Sequence, residues 1–279
     1  MPFMQNATFA VGARDAKTEL LDFLAGRLAI SRKKVKRILD ARLVFVNGQR
    51  VWMARHRLKV GDEVEVHFPR TAAPATAPSL LYDDQDLCVA NKPSGILTDG
   101  PGSLEAQLRE SLGIPELCAV HRLDRDTTGC VVFAKRPAIK DALIQLFKER
   151  RVTKVYHAIA LGSVRDDIRE IKMPIDGEPA ITHLTRLSGD RLATHLKLKI
   201  DTGRTHQIRK HLAAIGHPVL GDKQYATARL PSPVLRSVAR QMLHAESVAF
   251  VHPVTGQDLR VKAVMPPDFM ACLRRLKLT

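Results

Sequence analysis

An eleven-residue stretch rich in proline and alanine divides this chain and limits what it can fold into. The stretch, PRTAAPATAPS at 69–79, contains three prolines, four alanines and few large apolar side chains. Such a segment adds little to a hydrophobic core and is typical of a linker. We therefore predict a small domain at 16–68, a linker at 69–79 and a larger domain at 80–279.

The small domain is predicted to contain two short helices followed by strands, with residues 1 to about 15 loose. The run TELLDFLAGRLA has leucines at helical spacing, and Ser31 is placed to cap a second helix, SRKKVKRILDARL. Asn47-Gly48 between β-rich runs predicts a hairpin, and EVEVHF alternates as a strand. One face of the second helix is apolar, while the other carries Arg32, Lys33, Lys36 and Arg37.

The charge balance points to a polyanionic partner. Lysine and arginine number 44 against 29 aspartates and glutamates, which gives a formal net charge of +15. Nucleic acid is the leading candidate for such a chain. The alternatives are a merely basic surface or affinity for anionic lipid, although no basic amphipathic anchor with aromatic residues is evident.

Several protein classes are disfavoured by the sequence. The four cysteines are scattered without the spacing of a zinc, haem or disulfide framework, so no structural metal is expected. No apolar run approaches the length that spans a bilayer, and the N-terminus lacks the layout of a secretory signal. There is no glycine-rich dinucleotide motif, and we expect no cofactor. These features predict a reduced, cytoplasmic protein.

The motif HRLDRDTTG, at 121–129, lies between two short apolar runs that predict buried strands. Asp124 is therefore expected in a loop held by core strands, with Arg122 and Arg125 on either side. Such a loop is typical of a reactive site, but solvated surface ion pairs would fit equally well. The strands of the larger domain appear mainly antiparallel, which predicts an α+β domain with a large mixed sheet.

A second informative segment follows the strand LATHLKLKI. Thr205 is placed to cap a helix that contains His206, Ile208 and Arg209, and the spacing puts His206 and Arg209 near each other. A solvent-facing basic helix is the alternative. Further along, PVLRSVARQMLHA predicts a helix and SVAFVHP a strand.

Five motifs in order resemble the RluA-type pseudouridine synthases. They are NKPSG, HRLDRDTTG, KVYHA, GRTHQIRKHLAAIGHPVLGD and LHAESVAFVHPVTG, spread over about residues 80–270. The segment at about 16–68 resembles the S4-like (αL) RNA-binding domain. The resemblance implies an α+β pseudouridine synthase fold behind a small α/β RNA-binding domain.

The resemblance also implies a function and a set of roles. The protein would isomerise uridine to pseudouridine in structured RNA, ribosomal RNA first and transfer RNA second, as a monomer without a cofactor. Asp124 would be the catalytic aspartate, Tyr156 would pack against the target base and assist proton removal, and Arg209 would pair with Asp124. Arg122 would fill the gap left by the flipped nucleotide. The small domain would bind RNA through Arg32, Lys33, Lys36, Arg37 and Asn47.

Two departures from the family pattern lie near Asp124. Thr128 replaces the usual serine, and Leu97-Thr98-Asp99 replaces a common Val-His. The sequence leaves open whether Asp124 acts as nucleophile or base. It also leaves two other functions, a non-catalytic RNA-binding or ribosome-assembly factor and a hydrolase of N-glycosidic bonds.

Overall fold

The computed structural model describes residues 7–67 and 78–279, which divide into two units. The small unit contains the described residues before the gap together with Ala226–Ala239, and the large unit contains 78–225 and Arg240–Thr279. The predicted linker at 69–79 lies outside the described residues except for Pro78 and Ser79. The grouping of so late a segment with the small unit was not predicted.

The small unit is built on an antiparallel sheet of four strands in the order β1-β4-β2-β3. The strands are β1 (Ala7–Ala10), β2 (Val44–Val46), β3 (Gln49–Arg50) and β4 (Glu63–Val66). A 3₁₀ helix (Ala13–Asp15), α1 (Leu20–Leu28) and α2 (Arg32–Asp40) complete the part before the gap. The expectation of a loose N-terminus was wrong from Ala7 onward, because β1 pairs along its whole length with β4.

Two local predictions in the small unit are confirmed. The Ser31 side chain accepts a hydrogen bond from the Lys34 amide at the start of α2. Asn47 and Gly48 both have positive φ, at 50° and 77°, and join β2 to β3 as a tight hairpin requires.

The large unit contains a sheet of ten strands, mostly antiparallel. Its path is β10-β11-β12-β9-β13-β8-β6-β5, with β14 beside β13 and β7 beside β8. The strands are β5 (Ser79–Asp83), β6 (Leu87–Lys92), β7 (Cys118–Ala119), β8 (Thr128–Ala134), β9 (Thr153–Leu161), β10 (Glu170–Lys172), β11 (Ile181–Gly189), β12 (Ala193–Ile200), β13 (Leu243–Val251) and β14 (Asp258–Lys262). Strands β8 and β13 run parallel, so the sheet is mixed as the sequence predicted.

Helices cover both faces of this sheet. Strand β8 alternates between two cores, with Val131 and Phe133 in one cluster and Val132 in the other. The first cluster includes residues of α3 (Leu104–Leu112) and α5 (Gln207–Ala214), and the second includes residues of α4 (Pro137–Lys148). The layered arrangement matches an α+β domain.

The turn that closes HRLDRDTTG depends on Gly129. Its φ is +114°, and a Cβ at this position would lie 2.1 Å from the carbonyl oxygen of Ala245 on β13. Only glycine permits this approach of two backbones. The close contact fixes the start of β8 directly after the loop that carries Asp124.

The predicted helix PVLRSVARQMLHA was wrong over most of its length. Only α6 (Pro233–Arg236) is helical, and Leu243 already begins β13, opposite Ala158 of β9. Sheet pairing with a distant strand outweighs the local helical preference. A last helix, α7 (Pro267–Arg275), follows β14.

The segment Ala226–Ala239 packs on the β2–β3 hairpin within the small unit. The amide of Leu230 donates to the carbonyl of Gly48 at 2.9 Å. The Arg236 guanidinium lies 2.7 Å from the carboxylate of Glu65, a pair that is largely buried.

All four cysteines carry free thiols. Burial raises the pKa of each thiol, to about 12 for Cys88 and Cys130 and about 11 for Cys272. Among the described residues, none of the helices has the length and apolar character needed to cross a membrane.

Candidate active site

A cavity of about 550 Å³ in the large unit is lined by the segments that the sequence singled out. The HRLDRDTTG loop supplies one wall, β9 and the end of β12 supply another, and the start of α5 supplies a third. The cavity walls include Arg122, Asp124, Tyr156, His206 and Arg209. The structure therefore brings together Arg122, Asp124, Tyr156 and Arg209, the four residues that the resemblance assigned to the reaction site.

The loop that carries Asp124 is fixed by hydrogen bonds from residues outside it. The Thr98 hydroxyl accepts from the Leu123 amide at 3.0 Å and donates to the Leu123 carbonyl at 3.1 Å. Thr98 belongs to the departure from the family pattern noted above, so the substituted loop supports the neighbour of Asp124 directly. Within the loop, the Thr127 amide donates to the Asp124 carbonyl at 3.0 Å, as in a turn.

Lys92, of the motif NKPSG, ties a second segment to the same loop. Its ammonium is buried and donates to the carbonyls of Pro93, Ile96 and Arg125 at 2.7 to 3.0 Å. Burial lowers the pKa of Lys92 to about 7, against the opposing charges of Asp126 and Asp124. Through these hydrogen bonds Lys92 connects the backbone at Pro93 and Ile96 to the loop that carries Asp124.

A buried chain of ion pairs orients the Asp124 carboxylate. Arg209 Nη1 donates to Asp124 Oδ2 at 2.9 Å. The other edge of the guanidinium binds Asp222 through Nε at 2.6 Å and Nη2 at 3.0 Å. Burial alone would lower the pKa of Arg209, but the hydrogen bonds and charge of Asp222, then those of Asp124, raise it above its ordinary value. Arg209 is therefore a fixed cation between two carboxylates.

Asp222 was missed by the sequence analysis. Its side chain is fully buried, and beyond Arg209 it accepts from the amides of Gln224 and Tyr225 at 2.8 and 3.0 Å. Burial would raise the pKa of Asp222, but the bonds to Arg209 and these amides lower it below its ordinary value. The carboxylate is thus held charged, which keeps Arg209 in position.

His206 begins the helix differently from the prediction. The expectation that Thr205 caps this helix was wrong, since His206 occupies the cap position in a left-handed conformation with φ 57°. From there His206 Nε2 lies 3.7 Å from Asp124 Oδ1, and Nδ1 lies 3.0 Å from the Tyr225 hydroxyl. Burial lowers the pKa of His206, so the ring is neutral near pH 7. The predicted proximity of His206 and Arg209 is confirmed, because both approach Asp124.

Tyr156 lies on β9 with only 6% of its surface exposed. Burial, followed by the negative charge of Asp124, raises the pKa of Tyr156, so the side chain stays a phenol at neutral pH. Gln241 lies beside the Asp124 loop, since its amide donates to Thr127 Oγ1 at 2.6 Å and lies 3.5 Å from Asp124 Oδ2. Gln241 was not predicted as a site residue, and it lies within the segment that was wrongly predicted as a helix.

Arg122 and His121 differ in exposure and bonding. Arg122 is exposed at the rim of the cavity. His121 Nε2 accepts from the Val132 amide at 3.1 Å, and its ring stacks on Phe147 with centroids 4.7 Å apart. Burial lowers the pKa of His121 to about 3. His121 is thus bonded to β8, the strand that follows the loop.

The predicted RNA-binding residues of the small unit divide into two groups. Arg32, Lys33, Lys36 and Arg37 lie on the exposed face of α2. Asn47 is exposed, but its amide donates to Asp62 at 2.8 Å and accepts from the Glu63 backbone at 2.9 Å. The amide of Asn47 is therefore engaged in holding the hairpin.

Comparisons with known proteins identify the family of this chain. Residues 86–214 match the family model described as RNA pseudouridylate synthase, and residues 20–64 match the S4 domain. A ribosomal large subunit pseudouridine synthase D from Pasteurella multocida is 33% identical over 88% of this chain and 87% of its own length. One from Escherichia coli O157:H7 is 31% identical, with 88% and 86% covered.

A solved structure supports the same assignment. Human RNA Pseudouridylate Synthase Domain Containing 1 is similar with a TM-score of 0.59 and 28% identity, covering 75% of this chain and 98% of that one. With the identity and coverage of the relatives above, these matches establish the family. The chain belongs to the RNA pseudouridine synthases, which are isomerases, and carries an S4 domain.

Proposed function

We propose that this protein isomerises uridine to pseudouridine in large-subunit ribosomal RNA, with Asp124 as the catalytic carboxylate. The observation that carries the proposal is the 2.9 Å bond from Arg209 to Asp124 inside a cavity that Tyr156 also lines. Relatives named as ribosomal large subunit pseudouridine synthases favour that RNA over transfer RNA.

The reaction moves one bond and one proton. The bond between uracil N1 and the ribose carbon C1′ breaks, the base rotates within the cavity, and a bond forms between C5 and C1′. The proton on C5 leaves, and N1 gains a proton, so the product has the same composition as the substrate. Because there is no net oxidation or reduction, the chemistry requires no redox cofactor.

Asp124 supplies the negative charge that this rearrangement needs at the sugar. Its side chain is 25% exposed, so a ligand can reach it, while Arg209 holds its orientation from below. A carboxylate in this position can add to C1′ as a nucleophile or remove a proton from the sugar as a base. Both routes place the same oxygen against the ribose.

Tyr156 and Arg122 serve the base and the vacated stack, respectively. As a neutral phenol, Tyr156 presents its ring to the uracil, and its hydroxyl can accept the C5 proton as it passes its own proton to solvent or to the base. Arg122 at the exposed rim is free to move into the RNA stack once the target nucleotide is flipped out, a step that costs a few kcal/mol of unstacking. A planar guanidinium suits that place because it stacks on bases and binds phosphate.

The remaining roles concern binding and assembly. The exposed basic face of α2, formed by Arg32, Lys33, Lys36 and Arg37, would bind the RNA backbone, together with the hairpin at Asn47. We propose a monomer that acts in the cytoplasm without a cofactor. The assignment of α2 and the hairpin to RNA binding rests on the charge and the S4 match.

The test uses unmodified large-subunit ribosomal RNA transcribed with tritium at uracil C5. Wild-type protein should release tritium, and Asp124→Asn should lower the rate by at least ~10³-fold, as expected for a reacting group. Asp126→Asn, which removes a different carboxylate from the same loop, is the matched control and should retain activity.

Two outcomes would reject the proposal. Absence of tritium release from wild type with every cellular RNA would favour a binding or assembly factor. Appearance of free uracil instead of pseudouridine would favour hydrolysis of the N-glycosidic bond. Pseudouridine mapping of cellular RNA with and without the gene would then identify the uridine that enters the cavity.

A further inference from the structure

The cavity continues beyond the catalytic residues into a region that we call the basic lobe, lined by Phe147, Lys148, Arg150 and Lys154. The C-terminal end of α4 provides Phe147 and Lys148, the turn after it provides Arg150, and β9 provides Lys154. None of these residues takes part in the isomerisation described above. The lobe nevertheless belongs to the same cavity as Asp124.

Lys154 is held in the lobe without a carboxylate partner. Its Nζ lies 3.4 Å from the carbonyl of Thr202 and 5.7 Å from the centre of the Phe147 ring. Within the described part of the chain, no carboxylate comes within salt-bridge distance of it, and Asp201 acts on it only through its charge. Burial lowers the pKa of Lys154 to about 8. A partly buried cation of this kind gains from a bound anion.

Among the described residues, Lys148 and Arg150 also form no salt bridge, unlike Arg204 and Arg209. Arg204, which lines the same cavity, pairs with Glu178 at 3.1 Å, and Arg209 pairs with two aspartates. Lys148 and Arg150 are exposed at the edge of the lobe. Lys148, Arg150 and Lys154 therefore bring three positive charges without a salt bridge to this end of the cavity, while Arg122 lies apart from them in the HRLDRDTTG loop.

The distance between Lys154 and Tyr156 indicates the length of a ligand that contacts both residues. The two residues are two apart on β9 and share a face, so they are separated by about 6.6 Å along the strand. That is the length scale of one nucleotide of extended backbone. A base lying at Tyr156 would bring the phosphate of an adjoining nucleotide to Lys154.

We propose that the basic lobe binds a backbone phosphate of a nucleotide adjoining the target uridine, with Lys154 as its principal contact. The proposal rests on the proposed function, since it assumes that the target base enters beside Tyr156. The lobe would select unpaired RNA, because extended backbone reaches the cavity and a continuous helix does not. Lys154 is in this sense a substrate-binding residue rather than part of the reaction.

The experiment compares Lys154→Gln and the double variant Lys148→Gln/Arg150→Gln with wild type. Lys140→Gln is the matched control, because Lys140 is exposed on α4 and does not line the cavity. Filter binding to the large-subunit transcript is measured from low to high salt, and tritium release is measured in single turnover at saturating RNA. Unfolding midpoints establish that each variant is folded.

For Lys154→Gln we expect weaker binding and a salt slope of log K reduced by about 0.7, the value for one phosphate of single-stranded nucleic acid. Lys154→Arg should restore the slope. The single-turnover rate of Lys154→Gln at saturating RNA should equal that of wild type. A slope equal to that of Lys140→Gln would overturn the proposal. So would unchanged affinity with a reduced rate, which would place Lys154 in the chemical step. Binding is measured independently of turnover, so an inactive wild type would reject the proposed function without removing this test.

Discussion

The two ends of the cavity use positive charge in opposite ways. At one end, Arg209 is buried between Asp124 and Asp222 and its donors are occupied by the protein itself. At the other end, the close partners of Lys154 in the described ranges 7–67 and 78–279 are a carbonyl and an aromatic ring. Charge that orients a catalytic group must be compensated within the protein, whereas charge that binds substrate must be left for the substrate. The following predictions test that contrast, beginning with the largest effect.

Asp222→Asn should disrupt the end of the cavity at which Arg209 pairs with Asp124 and Asp222. Removing the charge of one partner leaves Arg209 buried with half of its compensation lost, and breaking a buried ion pair costs about 3–5 kcal/mol. We expect the free energy of unfolding in urea to fall by about that amount, and tritium release to fall with it. An unchanged unfolding midpoint would mean that Asp222 does not hold Arg209 in place.

Asp222→Glu provides the sharper comparison. Glutamate restores the negative charge but places the carboxylate farther from the backbone. If the position of the carboxylate matters, this variant should recover most of the stability but less of the rate. Equal recovery of both would indicate that Asp222 acts only on stability.

Thr98→Val should weaken the loop beside Asp124. The change keeps the shape but removes the hydroxyl that bonds both backbone groups of Leu123, which are left unsatisfied at a buried site. The expected loss in the free energy of unfolding is about 1–3 kcal/mol. Thr185→Val, at an exposed position of β11, is the control and should have little effect. Equal effects of the two would show that Thr98 does not support the loop.

RNA affinity should depend on pH through Lys154. Its pKa of about 8 means that the side chain is charged below that pH and neutral above it, so binding should weaken as pH rises from 7 to 9. In Lys154→Arg, which stays charged, the decline should be smaller. The titratable and charged groups that line the same cavity are His121, Arg122, Asp124, Lys148, Arg150, Tyr156, Asp201, Arg204, His206 and Arg209.

The directions of their pKa shifts distinguish two of those neighbours, His206 and Tyr156, from Lys154. Burial lowers the pKa of His206 and raises that of Tyr156, so both are neutral across this range. A pH dependence that persists unchanged in Lys154→Arg would therefore assign the titration to another group.

Lys154→Met should have the smallest effect on stability, within about 0.5 kcal/mol of wild type. The folded state already holds this ammonium at a cost, as its lowered pKa shows, and the aliphatic replacement keeps the contact with Phe147. Urea unfolding at pH 7 is the measurement. A loss comparable with that of Asp222→Asn would mean that the two ends of the cavity do not differ.

Sequence reasoning succeeded where a structure depends on neighbours in the chain. The Ser31 cap and the Asn47-Gly48 hairpin follow from local backbone preferences, and both are present. The helix α3 was missed although its signals were available. Ser103 accepts from the Ala106 amide at its start, and Gly113 ends it with φ 66°.

The candidate site was predictable only where motifs marked it. Asp124, Tyr156 and Arg209 were assigned by resemblance, and the structure brings them to one cavity, while their roles stay proposals. Asp222 and Gln241 were not predictable, because their significance comes from contacts with residues 13 to 117 positions away. The exposure of Lys154 also depends on α4, which packs beside β9 only in the folded chain.

The buried thiols described with the fold have a practical consequence for spectroscopy. Since the pKa values of the native cysteines are raised, little thiolate is present at neutral pH, and maleimide-type reagents should react with them slowly. A single cysteine introduced on the exposed face of α2, for example by Lys33→Cys, would then be the preferred point of attachment for a fluorophore. Its emission would report the arrival of RNA in real time, without removal of the native cysteines.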